Sequence, residues 1–411
     1  MIFAPPAKAN FSWWSVLLDH FFKPKADFNQ ELKKSLGAKA IWVGDAWVIM
    51  LAEGLKSLAL GSTKKQIVLP AYSCNEFVKA ILLANLEPVF VDIAEDGRFS
   101  VDCLDNVNTH QVLALLAVNT SGVVGDLDGL LAWAEQQGCY LVEDAGYSFL
   151  GEDLHGKPYG SWGHATIINM SEGKIIPCGG AAWLVKTAEL AERGKKQFLP
   201  LLQTKPKSNL AEAVHLAIYT IGSSRFVYHL YQLMRKWGLA DWKAMLTTEP
   251  SRVGENYATG DLAMAEGQVQ LSYDHSENLK SIRPRPWNNF RQTCAIQVLK
   301  TAKKLKKSRN LRIHWWENQQ LPNVRFLNLP TAGMPVKFPV LIDLSGCTAS
   351  QLALLAACGI KKQYPSTWPM YGIAAPCSRK FYEQAYTLPI HEGILLKDVE
   401  AYAAVLRKML Q

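Results

Sequence analysis

The sequence lacks the features that would place the chain in a membrane or around a metal ion. No stretch reaches the roughly 18 consecutive apolar residues that a transmembrane helix needs. The eight cysteines are scattered, without a CxxC pair or a Cys/His ligand spacing, which favours reduced thiols in the cytosol and argues against a metal site. The N-terminal stretch has two prolines and no positively charged start, unlike a signal peptide. We therefore expect a cytoplasmic protein without a bound metal.

Charged residues are also few, at 19% against 49% hydrophobic residues, which is typical of a globular enzyme. A chain of 411 residues predicts roughly two or three structural units. Much of the net charge of +8 lies between Arg283 and Arg312. This basic stretch is either the solvated face of a helix or a region that attracts an anionic substrate such as a nucleotide-sugar. We predict no nucleic-acid partner, because no nucleic-acid-binding module is recognisable.

Short apolar runs alternate with amphipathic stretches through the first half of the chain, a pattern that predicts an α/β fold with a doubly wound, mostly parallel sheet. The runs lie at 41–43, 67–69, 88–92, 112–118, 140–142, 165–168 and 181–185. We predict four regions: an aromatic-rich arm over 1–30, a large domain over 31–199, an insertion over 200–286 and a small α+β domain over 287–411. The insertion should contain two amphipathic helices, followed by a loop over 247–274.

One aspartate and one lysine, each just past a predicted strand, are the strongest chemical signal. Asp144 ends the strand that begins at Tyr140, and Lys174 follows the run at 165–168 after a polar turn. Open α/β sheets bind their ligands at the carboxyl ends of their strands. Pyridoxal phosphate chemistry needs a lysine that holds the cofactor as a Schiff base and an aspartate that keeps the pyridine nitrogen protonated. The alternative is a helix-capping aspartate and a solvated loop lysine.

The order of these elements resembles one known family. VEDAGYS, then GKPYGSWGHATI, then a polar turn, a lysine and Gly179-Gly180 resemble the central block of the DegT/StrS-type sugar aminotransferases. The resemblance implies a fold type I enzyme with pyridoxal 5'-phosphate as cofactor, Asp144 at its ring nitrogen and Lys174 as its covalent anchor. It also implies transfer of an amino group, usually from glutamate, to a keto sugar that is nucleotide-activated, in polysaccharide or glycan biosynthesis.

Further cofactor contacts follow from the same resemblance. Gly44, Asp45 and Ala46 correspond to the Ser-Gly-Thr turn that grips the cofactor phosphate in the family, with an aspartate in place of the threonine. Asn169 stands where a phosphate-binding serine is usual. Tyr147 stands where a glutamine or histidine approaches the phenolic oxygen of the cofactor. Either Tyr72 or Cys74 is expected to cover the cofactor ring, or Tyr72 is simply packed.

The resemblance also implies a homodimer with shared active sites. Asn289, Phe290 and Arg291 match an Asn-aromatic-Arg turn that reaches the phosphate of the neighbouring subunit's cofactor in the family. The equally weighted alternative is that Arg291 is a solvated base at the start of a helix.

Two questions stay open at this stage. The amphipathic helices of the insertion either cover the active site or the dimer interface, which we favour, or bring the enzyme to the inner face of a membrane. The replacements at Asp45, Cys74 and Asn169 leave a second function open, in which a cofactor-poor relative acts as a binding or assembly protein.

Overall fold

A computed structural model describes residues 27–222 apart from 172, 262–265, 268–271, 282–364 apart from 331 and 332, and 374–410, with a few isolated positions elsewhere. Most of the predicted N-terminal arm and the second predicted helix of the insertion lie outside these residues. No helix in the described part is both long and apolar enough to cross a membrane.

A seven-stranded sheet forms the core of the first half of the chain. Its strands are β1 (Ala40–Gly44), β2 (Gln66–Pro70), β3 (Glu87–Val91), β4 (Val112–Val118), β5 (Tyr140–Asp144), β6 (Ala165–Asn169) and β7 (Ala181–Val185), in the order β1-β7-β6-β5-β4-β2-β3. Strands β6, β5, β4, β2 and β3 are parallel to one another, whereas β7 is antiparallel to both of its neighbours, β1 and β6. This architecture confirms the predicted α/β fold with its large, mostly parallel sheet.

The central strands are apolar on both faces because helices cover both sides of the sheet. Every residue of β4, β6 and β7 is buried, as expected for strands enclosed between two layers. The helices of this region are α1 (Phe28–Leu36), α2 (Trp47–Ala59), α3 (Asn75–Leu83), α4 (Leu127–Gln136) and α5 (Ala188–Phe198). The N-cap of helix α1 is Asp27, whose side chain accepts hydrogen bonds from the backbone N–H groups of Asn29 and Gln30.

The region predicted as an insertion contains one described helix and one described hairpin. Helix α6 (Asn209–Gly222) confirms the first predicted amphipathic helix. The loop predicted over 247–274 is wrong at its centre, because β8 (Leu262–Ala265) and β9 (Gln268–Leu271) pair antiparallel. The alternation of polar and apolar residues in β9 is typical of a strand.

The C-terminal part begins with the 29-residue helix α7 (Asn289–Glu317) and folds around a four-stranded sheet. Its strands are β10 (Val324–Phe326), β11 (Phe338–Ile342), β12 (Lys361–Lys362) and β13 (Ala385–Leu388), and its other helices are α8 (Ala349–Ala357), α9 (Pro376–Gln384) and α10 (Leu396–Leu410). The fully buried side chains of Trp316 and Tyr402 lie in one hydrophobic cluster with residues of β11 and β13. This is the predicted small α+β domain.

Candidate active site

A cavity of about 260 Å³ opens where the carboxyl ends of β5 and β6 meet the small domain. Asp144 is the last residue of β5 and Asn169 the last of β6, and both line the cavity together with Lys174. Parallel neighbouring strands bring their carboxyl ends to the same edge of a sheet, which explains the convergence. The structure therefore brings together the aspartate and the lysine that the sequence singled out.

Asp144 is 4% exposed, and its carboxylate accepts a hydrogen bond of 3.0 Å from the backbone N–H of Gly146. Burial raises the pKa of Asp144 to about 6, although the charge of Lys174 and the N–H of Gly146 act to lower it. The carboxyl group is thus a buried acid that ionises near neutral pH, beside a cation.

Lys174 lies on a short loop whose backbone is fixed at both ends. The N–H of Ser171 donates to Oδ1 of Asn169 at 2.9 Å, the N–H of Lys174 donates to the carbonyl of Ser171 at 3.1 Å, and the N–H of Gly179 donates to the carbonyl of Met170 at 2.7 Å. The side chain projects over Tyr147, with Nζ 3.2 Å from the centroid of the ring. A cation over the face of an aromatic ring is attracted by its quadrupole, so this contact helps to orient the amine.

Tyr147 lies between two lysines. Its ring centroid is 3.2 Å from Nζ of Lys174 and 5.7 Å from Nζ of Lys337. Burial disfavours the phenolate, but the charges of the two lysines outweigh burial, and the neighbouring side chain of Gln363 acts in the same direction. The pKa of Tyr147 is lowered to about 8. Tyr147 therefore offers the cavity a phenol that loses its proton more readily than an ordinary tyrosine.

Of the two residues expected at the cofactor ring, Cys74 lines the cavity and Tyr72 does not. Cys74 is the N-cap of α3, and burial raises the pKa of its thiol to about 12. Tyr72 is 3% exposed and packs edge-on against Tyr364, Phe381 and Tyr382. Burial raises the pKa of Tyr72 well above its ordinary value. The packed alternative for Tyr72 agrees with this position.

The segment from Gly44 to Ala46 lies at the end of β1, but none of its three residues lines the cavity; the next residue, Trp47, does. Asp45 instead holds the chain that returns from the insertion. Its Oδ1 accepts from the backbone N–H of Arg285 at 2.7 Å, and its own N–H donates to the carbonyl of Arg285 at 3.0 Å. The Asp45 carboxylate therefore has a structural role, because it connects the end of β1 to the backbone of Arg285.

Asn289 and Arg291 belong to the first turn of α7, not to a free turn. The N-cap is Asn288, whose side chain accepts from the N–H of Arg291 at 2.9 Å and donates to the carbonyl of Lys207. Asn289 is half-buried and outside the cavity lining. Arg291 is 4% exposed and lines the cavity of its own chain, with Nε 2.7 Å from Oε2 of Glu212. The alternative of a solvated base is wrong.

Several cavity residues were not named individually from the sequence, although the family resemblance placed the segment 359–372, with Gln363 and Tyr364, at the substrate side. They come from α3, α6 and the small domain, and they are Glu76, His215, Lys337, Gln363 and Tyr364. Lys337 was expected only as the first residue of a strand over 337–343, and it directly precedes the observed strand β11. Helix α6 showed helical spacing, but the side that faces the cavity cannot be deduced from spacing alone.

The residues around the cavity fit pyridoxal phosphate. A buried carboxylate and a lysine amine are the donor set that its ring nitrogen and its aldehyde require. Glycines keep one wall open: Gly179 has φ +84°, and a Cβ there would lie 3.4 Å from the guanidinium of Arg291. At Gly180 a Cβ would overlap the carbonyl oxygen of Gly44. The fold and this site define a fold type I pyridoxal phosphate enzyme.

Comparison with known proteins agrees with this class. Residues 22–279 match the DegT/DnrJ/EryC1/StrS aminotransferase family, and the chain belongs to it. The family is one of pyridoxal phosphate enzymes, which confirms the cofactor expected from the sequence. Among solved structures, the Helicobacter pylori aminotransferase PseC, involved in the biosynthesis of pseudoaminic acid, superposes with a TM-score of 0.70 at 16% identity, covering 100% of this chain and 99% of that one.

Curated relatives match over shorter segments. L-glutamine:scyllo-inosose aminotransferase of Streptomyces griseus is 29% identical over 167 residues, which are 38% of this chain and 39% of the relative. UDP-N-acetyl-3-dehydro-alpha-D-glucosamine 3-aminotransferase of Acidithiobacillus ferrooxidans is 26% identical over 144 residues, which are 34% of this chain and 37% of the relative. The matched segments thus span less than half of these relatives.

Proposed function

We propose that the protein is a pyridoxal-phosphate-dependent aminotransferase that acts on a keto sugar. The observation that carries the proposal is the shared cavity of Asp144 and Lys174, in a chain that belongs to a family of aminotransferases. When bound, pyridoxal phosphate supplies an electron sink that stabilises negative charge at the carbon next to the transferred nitrogen.

Each side chain of the cavity has a separate task in this proposal. Lys174 anchors the cofactor through its amine and, once that amine is free, moves the proton at the substrate carbon that bears the nitrogen. Asp144 holds a proton on the pyridine nitrogen, and its burial strengthens this charge interaction because little water screens it. Tyr147 keeps the amine of Lys174 over its ring and holds a phenolic proton between two cations.

The substrate in this proposal is a nucleotide-activated keto sugar used in polysaccharide or glycan biosynthesis. The support is the family and the names of relatives, which include a 3-aminotransferase of a UDP-linked sugar and the GDP-perosamine synthase of Vibrio cholerae. A nucleotide-sugar is anionic, and the net charge of +8 of this chain favours its approach.

Helix α6 forms one wall of the proposed active site. Glu212, His215 and Leu216 face inward, where the two latter residues line the cavity and Glu212 pairs with Arg291. Its opposite face exposes an apolar stripe of Leu210, Val214, Ile218 and Ile221. We propose that this stripe meets the second subunit of a homodimer in the cytoplasm; contact with a membrane surface is the alternative, and sedimentation with anionic liposomes distinguishes the two.

The decisive variant is Lys174→Ala. We expect the purified wild-type protein to be yellow and to transfer nitrogen from glutamate to a UDP-linked keto sugar. The variant should lose the visible band of the bound cofactor and all measurable transfer, because Lys174 performs both tasks in this proposal. Lys34→Ala, on the exposed face of α1, is the matched control and should behave as wild type. A colourless wild-type protein that binds no cofactor would favour the binding or assembly function instead.

A further inference from the structure

Among the described residues around the cavity, the Lys337 ammonium group has no paired carboxylate. Arg291 is paired with Glu212 at 2.7 Å, and Glu76 is paired with Lys79 at 2.8 Å. Lys174 and Asp144 interact with each other across the cavity. Lys337 is half-buried and lines the same cavity, yet it forms no salt bridge with a carboxylate of the described residues.

A buried amide lines the same cavity and, like Lys337, has Tyr147 as a neighbour. Gln363 is 7% exposed and lines the cavity, directly after β12. Its side chain is close enough to Tyr147 to affect the ionisation of the phenol. Among the described residues its one side-chain partner is the Tyr147 hydroxyl, in a contact that falls short of ordinary hydrogen-bond geometry, so the amide keeps capacity for a further bond. A buried amide whose hydrogen-bonding capacity is not filled costs free energy, so a ligand that bonds to it would recover part of that free energy.

Both groups belong to the small domain and share Tyr147 as a neighbour. Lys337 precedes β11, and the backbone N–H of Gln363 donates to the carbonyl of Ala385, the first residue of β13. The sheet of the small domain therefore brings a cation and an amide to the space beside Lys174. A carboxylate would satisfy both, since it neutralises the ammonium group and accepts from the amide N–H.

The position relative to Lys174 selects which anion fits. The α-carboxylate of an amino-acid donor is bonded directly to the carbon whose proton Lys174 moves, so it must lie close to that amine. The Lys337 ammonium group lies against the same Tyr147 ring as the Lys174 amine. The diphosphate of a nucleotide-sugar is separated from a keto carbon by ring atoms of the sugar, and therefore lies farther away.

We propose that Lys337 and Gln363 form the subsite that binds the α-carboxylate of the amino donor. This inference rests on the proposed aminotransferase function and adds residues that recognise the donor. It makes the cavity selective for amino acids over simple amines, and it leaves the acceptor sugar to other contacts.

The test compares Lys337→Met and Gln363→Leu with wild type in two measurements. The first is binding of maleate, a dicarboxylate that cannot react, to the cofactor-loaded protein by calorimetry. The second is the rate at which L-glutamate, L-glutamine or 4-aminobutyrate, which has no α-carboxylate, bleaches the visible band. Loss of one charge-assisted contact should weaken maleate and both amino acids about 10- to 100-fold. The rate with 4-aminobutyrate should change far less.

Lys361→Met is the matched control, because Lys361 is exposed, lies on the strand that leads to Gln363 and does not line the cavity. It should keep wild-type affinity for maleate, and Lys337→Arg should recover much of the loss. Unchanged maleate affinity in both cavity variants would overturn the proposal. So would weaker use of a UDP-linked keto sugar with unchanged donor kinetics, which would assign the subsite to an acidic acceptor. A wild-type protein that binds maleate through Lys337 but transfers no nitrogen would refute the proposed function and leave the anion site standing.

Discussion

Asp45 and Asp144 lie at the ends of two strands of the large sheet that run in the same direction, but they differ in what surrounds those strands. Strand β5 lies inside the sheet between β4 and β6, so Asp144 emerges among other strand ends and lines the cavity. Strand β1 lies at the edge, and Asp45 pairs there with the backbone of Arg285. An edge strand leaves backbone groups without partners. Asp45 holds the segment around Arg285 against this edge through two hydrogen bonds.

At residue 45, a position that the family resemblance assigns to the cofactor phosphate, the side chain bonds the protein backbone instead. Once the returning segment pairs with the end of β1, a side chain at residue 45 that bonds the backbone of Arg285 stabilises the edge. Under the proposed function, the phosphate of the cofactor would then be bound by other groups. We propose the start of α2 as one of them, because its N-cap, Ala46, makes no side-chain hydrogen bond to the first turn, and the N–H groups at a helix start favour anions.

Neutralising each aspartate in turn tests whether the two positions have different roles. Asp144→Asn removes the counter-charge of the pyridine nitrogen, and we expect cofactor affinity to fall by about 100-fold or more, with transfer activity falling further. Asp45→Asn keeps a carbonyl oxygen that can accept from Arg285, so cofactor affinity should stay within about threefold of wild type. Fluorescence titration of the apo forms measures both. Equal losses in the two variants would show that Asp45 contacts the cofactor after all.

The second prediction concerns Gly180, which directly precedes β7 and lies against the end of the edge strand β1. A Cβ there would overlap the carbonyl oxygen of Gly44 and lie 2.6 Å from Cα of Asp45, and φ is +81°. Gly180→Ala should therefore displace the end of β1 and lower the free energy of unfolding by about 3 kcal/mol or more.

The matched control is Gly37→Ala. Gly37 also has a positive φ, +63°, but no atom of the described residues lies within 4 Å of the point that a Cβ would occupy, so only the backbone strain of about 1 kcal/mol applies. Denaturant unfolding measures both variants. If Gly37→Ala costs as much as Gly180→Ala, strain alone explains the effect and the close approach of the two strands has no energetic role.

The sequence predicted the centre of the sheet better than its edge or the walls of the cavity. Asp144 and Lys174 were found because each lies just past a strong apolar run of its own. Asp45 was assigned to the cofactor through the family resemblance, and its contact with Arg285 was not foreseen because that partner is 240 residues away in sequence, beyond an insertion. Lys337 and Gln363 were not named as site residues for the same physical reason, since their neighbour Tyr147 is brought to them only by packing of distant parts of the chain.

The smallest effect that we predict is on the pH dependence of stability, and it belongs to the centre of the sheet alone. Glu143 is fully buried, and its carboxylate accepts from the N–H groups of Gly160 at 2.7 Å and Trp162 at 3.0 Å. Burial raises the pKa of Glu143 from 4.5 to about 7, although these two N–H groups and Lys186 act to lower it. The folded state thus binds this proton more tightly than the unfolded state.

The sign of the effect follows from that difference. The stabilisation is complete below the unfolded pKa of 4.5, and it is lost as the pH rises towards the folded pKa of about 7. Asp144 acts in the same direction, because burial raises its pKa to about 6. We expect the free energy of unfolding of the apo protein to fall as the pH rises between these limits. Glu143→Gln should flatten part of this slope, whereas Asp45→Asn should leave it unchanged. A slope that Glu143→Gln does not alter would mean that Glu143 stays ionised in the folded state, with the Gly160 and Trp162 N–H groups outweighing its burial.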